Sequence, residues 1–345
     1  MIRRSAWLLF LAISACRPDG YSYESNTSGE EQESLNSSAS LDPGESLLDE
    51  APLVLAPYQA SMQMRSEVKI FDHGVLSQSL LEEQTADGDG QFALELVATK
   101  PSGSSNWIPA NIAQRFLHEQ RQHFLVRFRG PAIHDSVLAQ RNYSWRELDG
   151  DFTVANIPVT RYRLKSLYAI GDVIFDVDPT THVVLAWTIR DPDGVPLLRQ
   201  TAMEVDYSPD LQGVRWADVN VATEAYDGLG KQGSLGFDPL KLTSSGAGFE
   251  NSEEKTLLAD QLFPGQSKIH LNLLNDGVRT VAIAQQEEGS VLRSAGKKVQ
   301  AITLRHSEDT GVSVVEGPVL DKFAYAIGPV PLNDLLVFLA SLTTV

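Results

Sequence analysis

Residues 228–233 read Gly-Leu-Gly-Lys-Gln-Gly, which satisfies the spacing G-x-G-x-x-G. Such a turn holds a pyrophosphate only where a strand leads in and a helix follows, because the helix N-terminus supplies the free N–H groups. Residues 234–248 contain Pro239 and further glycines, so a loop from about Tyr226 to Gly248 is expected and no cofactor. In the stretch His-Glu-Gln-Arg-Gln-His, His118 and His123 stand five apart. That is about 140° around a helix, so the imidazoles diverge instead of sharing a zinc ion. The other histidines, His73, His134, His182, His270 and His306, are scattered. Asp87-Gly88-Asp89-Gly90 and Asp176-Val177-Asp178-Pro179 raise the question of calcium. A helix–loop–helix site counted from Asp87 would put Phe92 where glycine is required and no Glu at the twelfth place, so that site fails. Asp87 and Asp89 stay as candidates for a looser calcium loop, with a hairpin turn as the alternative. Gln-Gly-Ser-Leu-Gly around Ser234 lacks the first glycine of a nucleophile elbow. No catalytic residue is nominated. Carboxylate pairs for glycosidic cleavage could be assembled by the fold. Trp107, Trp145, Trp187 and Trp216 could stack on sugars, although Trp187 between Leu185 and Ile189 reads as core.

The chain has one cysteine, Cys16, so no internal disulfide can support the fold, which must rest on its apolar core. Met1-Ile2-Arg3-Arg4 is positively charged, and from Ala6 to Ala15 the chain is apolar except for Ser14. A membrane span needs roughly 20 apolar residues, so this shorter run reads as a secretory signal peptide over 1–15. Ile13-Ser14-Ala15-Cys16 resembles the lipobox of bacterial lipoproteins. The resemblance implies that Cys16 is diacylated and becomes the first mature residue, and that the protein lies in the bacterial cell envelope, linked to a membrane through that lipid. Arg17, where the inner-membrane sorting signal would have Asp, implies the outer membrane by the same resemblance.

Residues 16–50 are rich in Ser, Glu, Asp and Asn, with nine acids against Arg17. Such a stretch buries too little surface to offset the entropy of ordering, so a disordered acidic tether is expected. The whole chain carries 28 basic and 45 acidic residues, a formal net charge of −17. That balance argues against nucleic acid and against anionic lipid surfaces as partners, since both call for basic patches.

The rest reads as mainly β, in two β-sandwich-like domains over 51–148 and 149–345, with a boundary near 147–151. Windows such as Gln91–Thr99, Asp172–Val177, Thr181–Arg190, Gln200–Ser208, Lys268–Leu274, Arg279–Gln285 and Lys322–Gly328 alternate apolar and polar residues or run apolar between Gly, Pro and Asp turns. Two helices are expected. One spans 109–122, with Pro109 in the first turn and Ile112, Phe116 and Leu117 on one face. The other, at 331–342, is apolar enough to dock on the body.

Over about 66–131, Asp89-Gly90, Asn106-Trp107-Ile108-Pro109-Ala110 and Phe124-Leu125-Val126-Arg127 resemble the Asp-Gly turn, Asn-Trp-Leu-Pro-Ala motif and final strand of an uncharacterised β-rich domain family of bacterial envelope proteins. This resemblance implies a fold and no catalytic residue. The reading of function is therefore an outer-membrane or periplasmic lipoprotein with a non-catalytic binding or scaffolding body, whose partner is an envelope protein or a glycan. A polysaccharide hydrolase or lyase using paired carboxylates is the alternative.

Overall fold

The computed structural model describes residues 46–47, 52–89, 91–121, 129–214, 216, 223–243, 246–257, 268–287, 303–306 and 313–343. The expected signal peptide, Cys16, most of the tether, His123 and the strand expected at 124–127 lie outside the described residues. The stretch Leu35–Val345 makes one compact unit.

The first sheet is antiparallel and ten-stranded. It begins with β1 (Ser46–Leu47), β2 (Ser61–Asp72), β3 (Val75–Asp87), β4 (Phe92–Pro101) and β5 (Ile108–Pro109). Two helices follow, α1 (Ile112–Arg121) and α2 (Ser136–Asn142), then β6 (Tyr143–Val154), β7 (Ile157–Ser166), β8 (Asp172–Val177), β9 (Val184–Arg190) and β10 (Pro196–Asp206). The strand order is β1-β6-β7-β8-β9-β10-β2-β3-β4-β5. Burial along β2 alternates with period two, so Met62, Met64, Ser66, Val68 and Ile70 share the inner face. The two-residue turn Ala155-Asn156 has φ of 50° and 63°, the left-handed pair that suits the twist of a tight hairpin. Strand β9 is buried on both faces, with Trp187 and Ile189 in one apolar cluster and Leu185 and Ala186 in another. On β7 to β9, Arg163 and Arg190 both bond Asp172, and Arg161 bonds Asp176.

The expected boundary at 148/149 falls inside β6. Pairing of β10 with β2 joins the stretches on either side of it into one sheet. Asp149-Gly150-Asp151, which reads as a linker, is instead a β-bulge where the β6–β7 register shifts between Leu148 and Phe152.

The second sheet contains β11 (Thr223–Ala225). After the two-residue strand β12 (Lys241–Leu242) it continues with β13 (Glu250–Leu257), β14 (Ile269–Asn275), β15 (Thr280–Glu287), β16 (Thr303–His306), β17 (Ser313–Val319) and β18 (Lys322–Gly328). Its order is β11-β13-β14-β15-β18-β17-β16. The last helix, α3 (Leu332–Ala340), buries Leu335, Phe338 and Leu339 against this sheet, and β19 (Leu342–Thr343) pairs with β12. The β-rich class and the C-terminal helix are as the sequence implies.

Helix α1 lies within the expected 109–122, but its start is set by Asn111. The Asn111 and Gln114 side chains each accept the other's backbone N–H, a reciprocal cap. Ile112 does not share a buried face. It is 88% exposed, because the helix is turned so that His118 enters the interior. Helix α2 was not foreseen, although Asp135 caps it by accepting from Leu138 N.

Candidate functional site

Strand β3 carries Glu82 on the inner face, opposite Ser66 of β2, with Leu80 two residues away. A carboxylate there costs several kcal/mol of desolvation unless it is paired and hydrogen-bonded. Arg129, in the segment between α1 and α2, supplies the pairing. Its Nη1 donates to Glu82 Oε1 at 2.9 Å and its Nη2 to Oε2 at 2.5 Å, a bidentate fork. Nη2 also reaches Gln200 Oε1 of β10 at 3.3 Å, and His118 Nε2 of α1 lies 3.3 Å from Glu82 Oε1. Burial alone would raise the Glu82 pKa. The Arg129 charge and hydrogen bonds, helped by His118, outweigh it and hold the carboxyl well below the usual carboxylate range. Four side chains from four segments are thus joined around one anion.

Arg129 and Gln200 also border a small recess open to solvent, together with Tyr58, Gln84, Phe92 and Trp187. Its lining combines aromatic side chains with the Gln84 and Gln200 amides and the Arg129 guanidinium, which is already committed to Glu82. Glu82 is ionised and its oxygens are occupied, so it is unsuited to donating a proton.

A second buried cluster joins the two sheets. The turn Asn275–Arg279 between β14 and β15 presses against α2 and β6. Asp276 accepts from the Tyr143 hydroxyl and from Arg279 Nε at 3.1 Å. Arg279 Nε also donates to the Tyr143 oxygen at 3.0 Å, and Nη1 to the Ile170 carbonyl at 2.9 Å. Asn142 Nδ2 donates to the carbonyls of Gly248 and Asp276. Burial first of all, reinforced by the neighbouring Asp276, pushes the Tyr143 hydroxyl well above its ordinary pKa, so it stays a donor. Burial likewise holds the Asp334 carboxyl of α3 up to about 6, with the Arg279 charge acting in the opposite direction.

Most residues singled out by sequence fall elsewhere. Asp87 Oδ1 accepts from Asp89 N at 2.8 Å and Gln91 N at 3.0 Å in the β3–β4 turn. Among the described residues no three His, Cys, Asp or Glu side chains are grouped to hold a metal. Asp178 is engaged by Tyr207, Thr181 and the Thr180 N–H. In the glycine-rich 228–233 stretch, Asp227 accepts from Leu229 N and Ser234 N, and Asp238 from Lys231 N. A Cβ on Gly230 or Gly233 would lie 2.3 Å from Asp238 Oδ1 or 2.4 Å from Asp227 Oδ2. These glycines therefore admit the protein's own carboxylates to N–H groups that a phosphate would need. Leu235, Phe237 and Leu240 pin the same loop into the interior. Among the described histidines, His118 alone joins the Glu82 cluster, and Trp187 is a buried wall of the recess. Glu82, Arg129, Gln200, Tyr143, Asp276 and Arg279 were missed. Their one sequence signal is a charge inside an apolar strand, as at Glu82 after Leu80-Leu81.

No family model and no curated protein matches the sequence. Among solved structures, a crystal structure of MucB aligns over 84% of this chain and 94% of its own, at 14% identity and a TM-score of 0.48. A Pseudomonas aeruginosa MucA/MucB complex aligns over 83% of this chain and 93% of its own, at 15% identity and a TM-score of 0.43. A DUF1329 family protein from Desulfovibrio piger aligns over 44% of this chain and 86% of its own, at 10% identity and a TM-score of 0.17.

Proposed function

We propose that the chain is an envelope lipoprotein, anchored by lipid at Cys16, whose β-rich body binds a partner instead of transforming it. The observation that carries the binding reading is how the buried acids are used. Glu82, Asp172, Asp176 and Asp276 are each bonded to an arginine: the Asp172 and Asp176 pairs tie neighbouring strands, Glu82 holds the segment ahead of α2, and Asp276 holds Arg279 of its own turn. Carbohydrate cleavage by paired carboxylates needs one protonated acid beside one ionised carboxylate across a substrate. Asp334, whose carboxyl pKa is raised by burial, is instead acted on by the Arg279 charge. The anchor rests on the charged start, the short apolar run and the Ile13–Cys16 stretch.

Metabolic labelling with an alkyne-bearing fatty acid tests the anchor: label is expected on the wild type and lost in Cys16→Ala. Incubation of the purified body with envelope glycans tests the binding reading: retention without new reducing ends is expected. Unlabelled wild type would remove the anchor, and released oligosaccharide would remove the non-catalytic reading.

A further inference from the structure

We infer that the outer face of the first sheet is a docking surface for an extended acidic polypeptide segment. Arg146 of β6 stands opposite Arg163 of β7, and Arg199 of β10 stands opposite Lys69 of β2. Ile174, Thr188 and Ser79 complete the same register row, which ends at Lys100 of β4. Residues paired across an antiparallel sheet share a face, so this row lies on one side. The other side is the packed one: Leu164, Val173, Trp187, Leu198, Val68 and Leu80, each next in sequence to a member of the row, belong to one apolar cluster. The row holds five cations and no acid. The rows flanking it add Lys165, Arg190 and Arg161 against Asp172, Asp176 and Glu67. The three rows together carry eight cations to three acids, in a chain of net charge −17. The next row, with Glu83, Glu95 and Glu204 around Arg65, bounds the patch, as does the Asp149-Gly150-Asp151 bulge. Like charges directly opposite one another, as at Arg146 and Arg163, cost stability that an anion laid between them would recover.

The chemistry of the occupant follows from what the face already holds. Asp172 accepts from Arg163 Nε at 2.6 Å and from Arg190 Nε at 2.5 Å. Arg161 grips Asp176 through Nε at 2.5 Å and Nη2 at 2.8 Å. Guanidinium forks match carboxylates, so further carboxylates suit the same surface. Arg199 is exposed, with its Nε on the Thr188 hydroxyl at 3.1 Å. No aromatic residue stands in the three rows, so the face lacks a platform for stacking sugar rings. Eight strands at about 4.8 Å spacing give a row of roughly 34 Å, the length of about ten residues of extended chain. A bilayer or a polynucleotide would meet this acidic body over a broad area of like charge. A single peptide strand covers the row alone, and at physiological salt charges more than about 8 Å away are screened. The inference rests on the binding reading above and names the chemistry of the partner.

The test uses the unacylated chain from Arg17 onward and a fluorescein-labelled deca-glutamate peptide, read by anisotropy at about 50 mM and about 500 mM salt. Binding is expected at the lower salt, with affinity falling roughly tenfold at the higher. An Arg146→Gln/Arg199→Gln variant should bind roughly fivefold more weakly. Lys231→Gln/Lys241→Gln removes as much charge from exposed positions off this sheet and should bind like the wild type. An unchanged melting temperature would show that each variant is folded, and Arg199→Glu alone gives the same reading should the double variant not fold. No binding at the lower salt, undiminished binding by the face variant, or an equal loss in the control would each overturn the inference. So would tighter binding to polygalacturonate or to phosphatidylglycerol vesicles than to the peptide, which would give the face to a glycan or a membrane. A body that binds no acidic peptide could still retain glycan without cleaving it, so failure here is distinguishable from failure of the non-catalytic reading.

Discussion

The Tyr143 hydroxyl of β6 donates to the Asp276 carboxylate of the β14–β15 turn, a fully buried bond between residues 133 positions apart. The pair shares Arg279, so the two sheets meet through a hydrogen-bonded charge cluster and not through apolar packing alone. Removing the hydroxyl deprives both a buried acceptor and a buried donor. Tyr143→Phe should cost about 1–3 kcal/mol in a urea or thermal unfolding measurement.

The same joint depends on Gly277. It adopts φ +99°, and a Cβ there would lie 2.3 Å from the Ala139 nitrogen of α2. That neighbour is helix backbone and cannot swing aside. Gly277→Ala should lower stability by about 2 kcal/mol or more, with the loss visible as a fall in melting temperature.

At the first cluster, Arg129→Met would leave Glu82 ionised, buried and unpaired, a loss of about 3–5 kcal/mol. Replacing both residues with Met should recover most of that, because two buried charges are removed together. A double-mutant cycle by urea unfolding measures this directly. Because the folded Glu82 pKa lies below its ordinary 4.5, its contribution is present above that pH. The contribution is lost as pH falls through the acid range, where the unfolded chain binds the proton more readily.

Asp334 should behave in the opposite sense. Its folded pKa is raised from 3.8 to about 6 by burial. The folded state therefore holds the proton more tightly, and stability from this group falls as pH rises between those two values. Asp334→Asn should be more stable than the wild type at pH 7.5, by on the order of 2 kcal/mol. The gain should vanish below about pH 4 in unfolding curves taken across the range.

Much of the strand content was legible because burial imposes a period of two or an unbroken apolar run. Asp172–Val177 and Lys322–Gly328 read as strands and are strands. That the chain runs on through 148 within one strand was not legible, since an Asp-Gly-Asp bulge and an Asp-Gly-Asp linker have the same composition. The outward turn of Ile112 was hidden for a related reason. A helical face can be read from apolar spacing, but here a histidine contact with Glu82, 36 positions earlier, sets the rotation. The buried clusters escaped entirely. Glu82 and Arg129 are 47 residues apart, and Arg129 and Gln200 are 71 apart, so no local pattern could have joined them.

The most direct test of an anchored, non-catalytic binding body is crosslinking of the acylated protein in its own envelope fraction, with Cys16→Ala alongside. The account predicts a discrete protein or glycan crosslinked to the wild type, lost or strongly reduced with Cys16→Ala, and covalently unchanged after prolonged incubation with the body. A captured glycan shortened by the body, or equal capture by Cys16→Ala, would contradict it.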